Sequence, residues 1–317
     1  MRVALGVSTV ATDNPNALSW GAKLRLVGAD IKLAHSVFAL PFALLAAFLV
    51  APQGDSAIDW RPFSGMLALV VVCMVFARTW AMVVNRVADR SIDAENPRTA
   101  ARAFAAGALT GRDGVLVLAG SALAFVVACS LFWIAYENPW PTLLSWIVLA
   151  WIAFYSYTKR FTWLCHVFLG GALAVSPLAA ALAVSSDLIP SWSVVSISVM
   201  VLLWVAGFDI IYALQDTDFD RERGLRSIPA RFGWKGAARI SRVLHIGAIG
   251  ALVVAWQVEP RFGWLFAIGL AIVGGVLAWE HAVLARRGRA GIPMAFFTLN
   301  GVVALALGAF GVADVLF

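Results

Sequence analysis

Long apolar runs, separated by short polar loops, make up most of the chain. A helix that crosses a membrane needs about 20 mostly apolar residues, and nine stretches of the sequence meet or approach that length. This pattern predicts an all-α membrane protein with nine transmembrane helices in one bundle. Residues 1–20 are expected to form a poorly ordered cytoplasmic tail, and residues 21–317 the transmembrane domain. The predicted spans are 32–51, 64–85, 114–135, 141–157, 163–184, 192–213, 237–256, 263–284 and 293–315.

Composition supports the membrane assignment. Hydrophobic residues make up 62% and charged residues 13% of the chain, and the mean hydropathy is +0.86. A soluble domain is nearer half apolar and a quarter charged. Pro41 and Pro177 fall inside predicted spans, which membrane helices tolerate where neighbouring groups satisfy the freed carbonyls. Cys73, Cys129 and Cys165 lie scattered in apolar runs without metal-like spacing, so no disulfide framework is expected.

Basic residues fall almost entirely in alternate loops. The N-terminal region and the loops after the second, fourth, sixth and eighth predicted spans hold 21 of the 24 Lys and Arg residues. The other loops contain only Arg61 and Arg261, and Arg78 lies within the second span. By the positive-inside rule the basic loops face the cytoplasm, which predicts a cytoplasmic N-terminus in the inner (cytoplasmic) membrane. The net charge of +6 is therefore an orientation signal, and nucleic acid is not an expected partner.

Two groups of acidic and polar residues, which we call the first and second arrays, close the second and sixth predicted spans. On a helix, positions four apart share one face at about 6 Å per step. Each array precedes a long basic loop, a weak internal repeat which suggests that both arrays face one cavity. The first array is Asn85, Asp89 and Asp93, and the second is Asp209, Tyr212, Asp216 and Asp220.

Carboxylates on one face at a membrane boundary repel one another unless cations lie between them. Oxygen ligands without nearby His or Cys suit Mg²⁺, which proteins usually hold with one or two carboxylates and a substrate phosphate. The neighbouring arginines match phosphate oxygens. The arrays therefore predict a site that ionises an allylic diphosphate, with a polyprenyl tail as the reason for the membrane setting. Aromatic faces that could stabilise the allylic cation are those of Phe154, Tyr155, Tyr157 and Tyr212.

Over roughly residues 20–317, the chain resembles the UbiA superfamily of membrane-embedded prenyltransferases. The first array reads as the NxxxDxxxD motif of that family and the second as DxxYxxxDxxxD. The stretches 31–42, 96–99 and 216–224 are similar to UbiA-like 4-hydroxybenzoate polyprenyltransferases, a branch that includes enzymes assigned to the futalosine route to menaquinone. The resemblance implies a helical bundle around a cytoplasmic-side cavity that opens laterally to lipid. It also implies Mg²⁺-dependent transfer of a polyprenyl group from polyprenyl diphosphate to a ring carbon of an aromatic acid in ubiquinone or menaquinone biosynthesis.

The resemblance assigns a role to each motif position. One Mg²⁺ is expected on Asn85, Asp89 and Asp93, and a second on Asp216 and Asp220. Asp209 and Tyr212 are the expected catalytic pair, which orients the acceptor or shields the cation.

Residues outside the motifs complete the expected site. Lys159, Arg102 and Arg78 are expected to contact the diphosphate, and Tyr155 and His35 the acceptor or the cation. His166, His245 and His281 have no partners close by in the sequence and are assigned no function.

Other readings stay open at this stage. Within the same chemistry, the acceptor could be a dihydroxynaphthoate-type acid, and haem farnesyltransferases and chlorophyll synthases are less similar relatives. In a different class, a secondary transporter of an anion or a divalent cation also uses intramembrane carboxylates, but its site would lie near the bilayer midplane. The sequence does not give the acceptor, the prenyl chain length or the oligomeric state.

Overall fold

The computed structural model describes residues 18–31, 38–52 and 58–317, and throughout these ranges the regular elements are helices. Short 3₁₀ turns follow α8 (Leu214–Asp216) and α11 (Gly288–Gly291), and a π-helix (Met294–Leu299) leads into α12. The α-helices are α1 (Trp20–Ile31), α2 (Leu40–Leu49), α3 (Trp60–Ala88), α4 (Arg90–Glu95), α5 (Gly111–Tyr136), α6 (Trp140–Thr158), α7 (Cys165–Ser185), α8 (Trp192–Ala213), α9 (Thr217–Glu222), α10 (Ile228–Val258), α11 (Trp264–Arg287) and α12 (Asn300–Leu316).

Within the described ranges, eight helical stretches are long and apolar enough to cross a membrane, and they match the second to ninth predicted spans. The first predicted span, 32–51, corresponds to the shorter apolar helix α2, and residues 32–37 lie outside the described ranges. Several helices extend beyond their predicted ends because polar interfacial residues continue the helix where the apolar run stops. Helix α3, for example, begins at Trp60, where the Asp59 side chain accepts a hydrogen bond from Arg61 N at 3.1 Å.

The two prolines are accommodated in different ways. Pro41 was expected inside a span, but it lies in the first turn of α2, where a missing N–H costs nothing. Pro177 is inside α7 as expected, and it leaves the carbonyl of Leu173 without its usual helical donor. The hydroxyl of Ser176 donates to that carbonyl at 2.7 Å. A neighbouring side chain thus replaces the lost backbone hydrogen bond within the apolar bundle.

Helix α8 lies at the centre of the bundle, packed against α7 on one side and α10 on the other, and it is the most buried of the eight long helices. Glycines allow this close packing. A Cβ at Gly170 of α7 would overlap the backbone carbonyl oxygen of Leu202 in α8, and a Cβ at Gly207 of α8 would overlap the imidazole of His245 in α10. The second array therefore lies at the end of the most buried of the eight long helices.

Cys73 of α3 and Cys129 of α5 face each other with their Sγ atoms 3.9 Å apart. Both are free thiols, as is Cys165. Their proximity was not visible in the sequence, because the two residues lie on different helices.

The tight contact between α7 and α8 can be tested with one methyl group. We expect Gly170→Ala to destabilise the protein by about 1–3 kcal/mol, because the added carbon meets backbone that cannot rotate away. Thermal unfolding of the purified protein in detergent, followed by circular dichroism, measures the change. Gly120→Ala in α5 is the matched control, since a Cβ there meets no atom within 4 Å and alanine favours the helix. Equal melting temperatures for the two variants would contradict this account of the packing.

Candidate active site

One large cavity, of about 1190 Å³, runs through the bundle between α3, α5, α6, α7 and α8. At one end it is lined by both arrays and by several basic side chains. Most of the remaining wall is apolar and is formed by residues such as Val70, Met74, Phe125, Ile152 and Ala180. The expectation that the two arrays face one cavity is confirmed.

The first array spans a break between two helices. Asn85 lies on α3, Asp93 lies on α4, and Asp89 is the single non-helical residue between them. The helical hydrogen bonds nevertheless continue, since Asp89 N donates to Asn85 O at 2.9 Å and Asp93 N donates to Asp89 O at 2.7 Å. The predicted single face is therefore kept, although the predicted single helix is not.

The second array crosses a similar break. Asp209 and Tyr212 lie on α8, Asp216 ends the 3₁₀ turn, and Asp220 lies on α9. The change to a 3₁₀ turn tightens the backbone here. Asp220 Oδ2 accepts a hydrogen bond from the hydroxyl of Ser227 at 2.8 Å, which ties α9 to the start of α10. Both arrays thus end in a short helix that follows a break after the long span.

Every acidic residue of the first array is paired with a cation. Lys159 Nζ lies 2.6 Å from Asp89 Oδ2, and Arg160 Nη2 lies 3.0 Å from Asp89 Oδ1. Arg102 Nη1 donates to both oxygens of Asp93, at 2.8 and 2.7 Å. The Asp89 side chain is only 3% exposed, so these cations replace the water that would otherwise solvate its charge.

Residues from the loop after α4 link the two arrays. Arg98 forms a two-pronged ion pair with Asp216, with Nε to Oδ1 at 2.9 Å and Nη2 to Oδ2 at 2.6 Å. Its Nη1 also donates to the hydroxyl of Tyr212 at 3.0 Å, and Asn96 Nδ2 donates to Asp216 Oδ1 at 3.1 Å. This planar, two-pronged pairing is the geometry that arginine favours with carboxylates.

Asp209 is held by a histidine that the sequence interpretation left without a role. His166 Nδ1 lies 2.7 Å from Asp209 Oδ2, and the backbone N–H of Ile228 donates to His166 Nε2 at 3.3 Å. Because Nε2 accepts a hydrogen bond, the ring proton is on Nδ1 and is donated to the carboxylate. The ring therefore orients Asp209, a contact between residues 43 positions apart that the sequence interpretation, which assigned His166 no function, did not predict. The sequence did contain one signal for this role: His166 is an ionisable residue at the edge of a predicted span, where such residues are often functional.

Asn85 is positioned through a chain of contacts from α1. Arg86 Nη1 donates to Asn85 Oδ1 at 2.9 Å, and Arg86 Nε lies 3.8 Å from Asp30 Oδ1. Burial raises the pKa of Asp30 above its ordinary value, and the Arg86 guanidinium opposes that shift. Asp30 also lines the cavity, so α1 forms part of the site.

The remaining predicted site residues have three outcomes: some line the cavity, some do not, and one lies outside the described residues. Arg78 and Tyr155 line the same cavity, with Arg78 seven residues before Asn85 and so about 10 Å deeper along α3. Phe154 and Tyr157 do not line it, and at 42% and 46% exposed they lie on the outer surface of the bundle, so their proposed cation-stabilising role was wrong. His35 lies outside the described residues.

The donor atoms fit a hard cation, although in this arrangement they are engaged with other partners. Across the described ranges, no three His, Cys, Asp or Glu side chains stand close enough to share one ion. The carboxylates of both arrays line one cavity. Asp89, Asp93 and Asp216 are balanced by Lys and Arg, whereas Asp209 is held by His166 and Asp220 by the hydroxyl of Ser227. Oxygen donors of this kind match the ligand preference of Mg²⁺.

Sequence comparison gives an independent result. The profile of the UbiA prenyltransferase family matches residues 39–302, which is most of the chain and includes both arrays. A 4-hydroxybenzoate octaprenyltransferase of Methylococcus capsulatus is 29% identical over 260 residues, covering 79% of this chain and 81% of the relative.

Solved structures agree with the family match. The apo structure of a UbiA homologue from Aeropyrum pernix K1 superposes with a TM-score of 0.76 at 32% identity, covering 89% of this chain and 98% of that one. A UbiA homologue from Archaeoglobus fulgidus bound to GPP and Mg²⁺ has a TM-score of 0.67 at 16% identity, covering 92% and 99% of the two chains, and it supports the fold alone. The chain is a multi-pass membrane protein and a prenyl-transferring enzyme, and it belongs to the UbiA prenyltransferase family.

Proposed function

We propose that this enzyme transfers a polyprenyl group from polyprenyl diphosphate to a ring carbon of a 4-hydroxybenzoate-type acceptor, with Mg²⁺, in quinone biosynthesis. The observation that carries the proposal is the large cavity, which joins two linked carboxylate arrays at one end to a long apolar wall. A substrate with a diphosphate head and a hydrocarbon tail has the same division of polarity.

Mg²⁺ would be held by the oxygens of Asn85, Asp89 and Asp93 in the first array and by Asp216 and Asp220 in the second. When bound, it neutralises charge that develops on the departing diphosphate.

The cations of the site change partners in this proposal. At rest Lys159 and Arg160 neutralise Asp89, Arg102 neutralises Asp93 and Arg98 neutralises Asp216. With the carboxylates engaged by a metal ion, these side chains would be free to donate to the oxygens of the diphosphate. Charge-assisted hydrogen bonds of this type become stronger as the leaving group gains charge, which lowers the barrier to ionisation.

The acceptor occupies the deeper part of the polar end. The bond between the allylic carbon and the diphosphate oxygen breaks, and its electron pair leaves with the diphosphate. The ring carbon beside the acceptor hydroxyl forms the new carbon–carbon bond, and its proton then passes to solvent. Asp209, oriented by His166, and Tyr212, held by Arg98, position the acceptor. Arg78 lies deeper still, beyond the acceptor, so this proposal gives it no contact with the diphosphate, and the role predicted for it from the sequence stays a prediction.

Names of relatives support the choice of acceptor. The Methylococcus capsulatus relative is a 4-hydroxybenzoate octaprenyltransferase, so a 4-hydroxybenzoate-type acid is our first candidate and a dihydroxynaphthoate-type acid the second. Both would serve quinone biosynthesis, of ubiquinone or menaquinone. Transport, the alternative from another class, has lost its support because the chain belongs to a family of transferases.

The charge pattern supports an orientation for the proposed enzyme. The basic loops and both arrays lie at the same end of the bundle, as shown by ion pairs such as Arg223 with Glu95 and Arg289 with Asp218. By the positive-inside rule we place this end, the N-terminus and the active site on the cytoplasmic side of the inner membrane.

The proposal is tested directly by assaying purified protein with Mg²⁺, one polyprenyl diphosphate and a panel of aromatic acids, with products identified by mass spectrometry. We expect a prenylated 4-hydroxybenzoate and release of diphosphate, both abolished by EDTA and restored by added Mg²⁺. Turnover of a dihydroxynaphthoate alone would replace the first acceptor with the second. Full activity in EDTA would contradict the metal assignment.

The second array can be probed with a neighbouring pair of aspartates. We expect Asp216→Ala to lower kcat by at least about 100-fold, because it removes a metal ligand from the reacting end of the cavity. Asp218→Ala is the matched control, since that side chain is 68% exposed, pairs with Arg289 and does not line the cavity. Comparable losses in both variants would argue for a general effect on folding and against a ligand role for Asp216.

Lys159 should matter more to the donor than to the acceptor. We expect Lys159→Ala to raise the KM for polyprenyl diphosphate about tenfold or more, because a charge-assisted hydrogen bond to the diphosphate is lost. The KM for the aromatic acid should change little. Lys235→Ala removes an exposed lysine that does not line the cavity and serves as the control. If Lys159→Ala raised both KM values equally, its assignment to the diphosphate would be wrong.

A further inference from the structure

A second cavity, which we call the α10–α11 groove, lies away from the active site. Its volume is about 440 Å³. Its walls are stripes of residues at helical spacing on both helices, and they are apolar except at one end. The lining residues are Arg242, His245, Ile246 and Ile249 of α10, and Gly274, Leu277, Ala278, His281, Ala282 and Ala285 of α11.

The polar end of the groove lies toward the same end of the bundle as the active site. Helix α10 begins there, where Ile228 N contacts His166, and the segment after α11 returns there, where Arg289 pairs with Asp218. Helix α11 therefore runs antiparallel to α10, with Arg286 and Arg287 exposed in its last turn. His281 stands six residues before Arg287, about 9 Å along the axis, so it lies less than two turns inside the basic end of α11.

A directional chain of hydrogen bonds leads into this polar end. His245 Nε2 lies 3.3 Å from the carbonyl oxygen of Trp204, so this nitrogen carries a proton and donates. His245 Nδ1 is then an acceptor, and it lies 3.1 Å from His281 Nε2, which must donate to it. The chain leaves His281 Nδ1 as a lone-pair acceptor.

That acceptor has no partner among the described residues. His281 is 9% exposed, and its Nδ1 is buried without a hydrogen bond. An unsatisfied buried polar atom destabilises a folded protein, and this one belongs to a residue that lines the groove. Arg242, exposed and beside His281, supplies a positive charge at the same place. The groove therefore offers one cation, one hydrogen-bond acceptor and an apolar channel below them.

We infer that the α10–α11 groove binds an acidic phospholipid whose headgroup carries a free hydroxyl, the class of phosphatidylglycerol. The phosphate pairs with the guanidinium of Arg242, and a headgroup hydroxyl donates to His281 Nδ1. One acyl chain lies along Ile246, Ile249 and Leu277. Charge complementarity at Arg242 selects an anionic lipid over a zwitterionic one, and the histidine selects a headgroup that can donate.

Native mass spectrometry of the detergent-solubilised protein measures binding of three probes that differ in one feature at a time. Dioleoyl phosphatidylglycerol has the charge and the hydroxyl, dioleoyl phosphatidylmethanol has the charge without a hydroxyl, and dioleoyl phosphatidylcholine has no net charge. We expect the wild-type protein to bind them in that order, with phosphatidylglycerol about tenfold tighter than phosphatidylcholine. Equal affinity for all three would overturn the inference without any variant.

Variants then assign each contact. Arg242→Gln should weaken phosphatidylglycerol binding about tenfold, whereas Arg239→Gln, which removes an exposed cation of α10 outside the groove, should leave it unchanged. His281→Leu should erase the preference for phosphatidylglycerol over phosphatidylmethanol.

The apolar channel has its own test. Gly274→Leu should fill the channel, since a Cβ at Gly274 meets no atom within 4 Å, and should weaken binding of both anionic lipids. Equal losses for Arg242→Gln and Arg239→Gln, or an unchanged lipid preference in His281→Leu, would show that binding is a general surface effect and would overturn the inference.

Discussion

Carboxylates buried at the edge of a membrane need cations or hydrogen-bond donors as partners, and this requirement organises the polar end of the protein. Asp89 and Asp93 have side chains only 3% and 8% exposed. An unpaired charge buried to that extent would cost several kcal/mol. The cations that satisfy the acids come from different loops: Arg98 and Arg102 follow α4, and Lys159 follows α6. The ion pairs therefore also hold the loops after α4 and α6 together at this end of the bundle.

The break in each array also contributes to the pairing of acids with cations. Asp89 is the single non-helical residue between α3 and α4, and the loop after α4 brings Arg98 within 2.6 Å of Asp216. The 3₁₀ turn that ends at Asp216 makes the corresponding break before α9. Both breaks lie within the arrays, where the two arrays line one cavity.

Local patterns in the sequence predicted much of this arrangement. Spans two to nine, both arrays and their shared cavity follow from apolar length and from i, i+4 spacing, which depend on neighbours along the chain. The pairing of each acid with its cation does not, because it depends on how loops meet in space. Arg160 and His166 contribute through such contacts, and neither was assigned to the site. The error over Phe154 and Tyr157 has a related cause: α6 is apolar on most of its surface, so the sequence does not fix which face turns inward.

The charge balance of the site bears on how a diphosphate can enter it. Among the described residues, the polar end of the cavity is lined by six carboxylates, Asp30, Asp89, Asp93, Asp209, Asp216 and Asp220, and by five cations, Arg78, Arg86, Arg98, Arg102 and Lys159. The groups nearly cancel, so a bare diphosphate would add uncompensated negative charge. In the proposed function, Mg²⁺ held by the carboxylates of the two arrays would supply the positive charge that this balance lacks. Without that charge, the acids that line the cavity would repel the diphosphate that the lysine and the arginines attract.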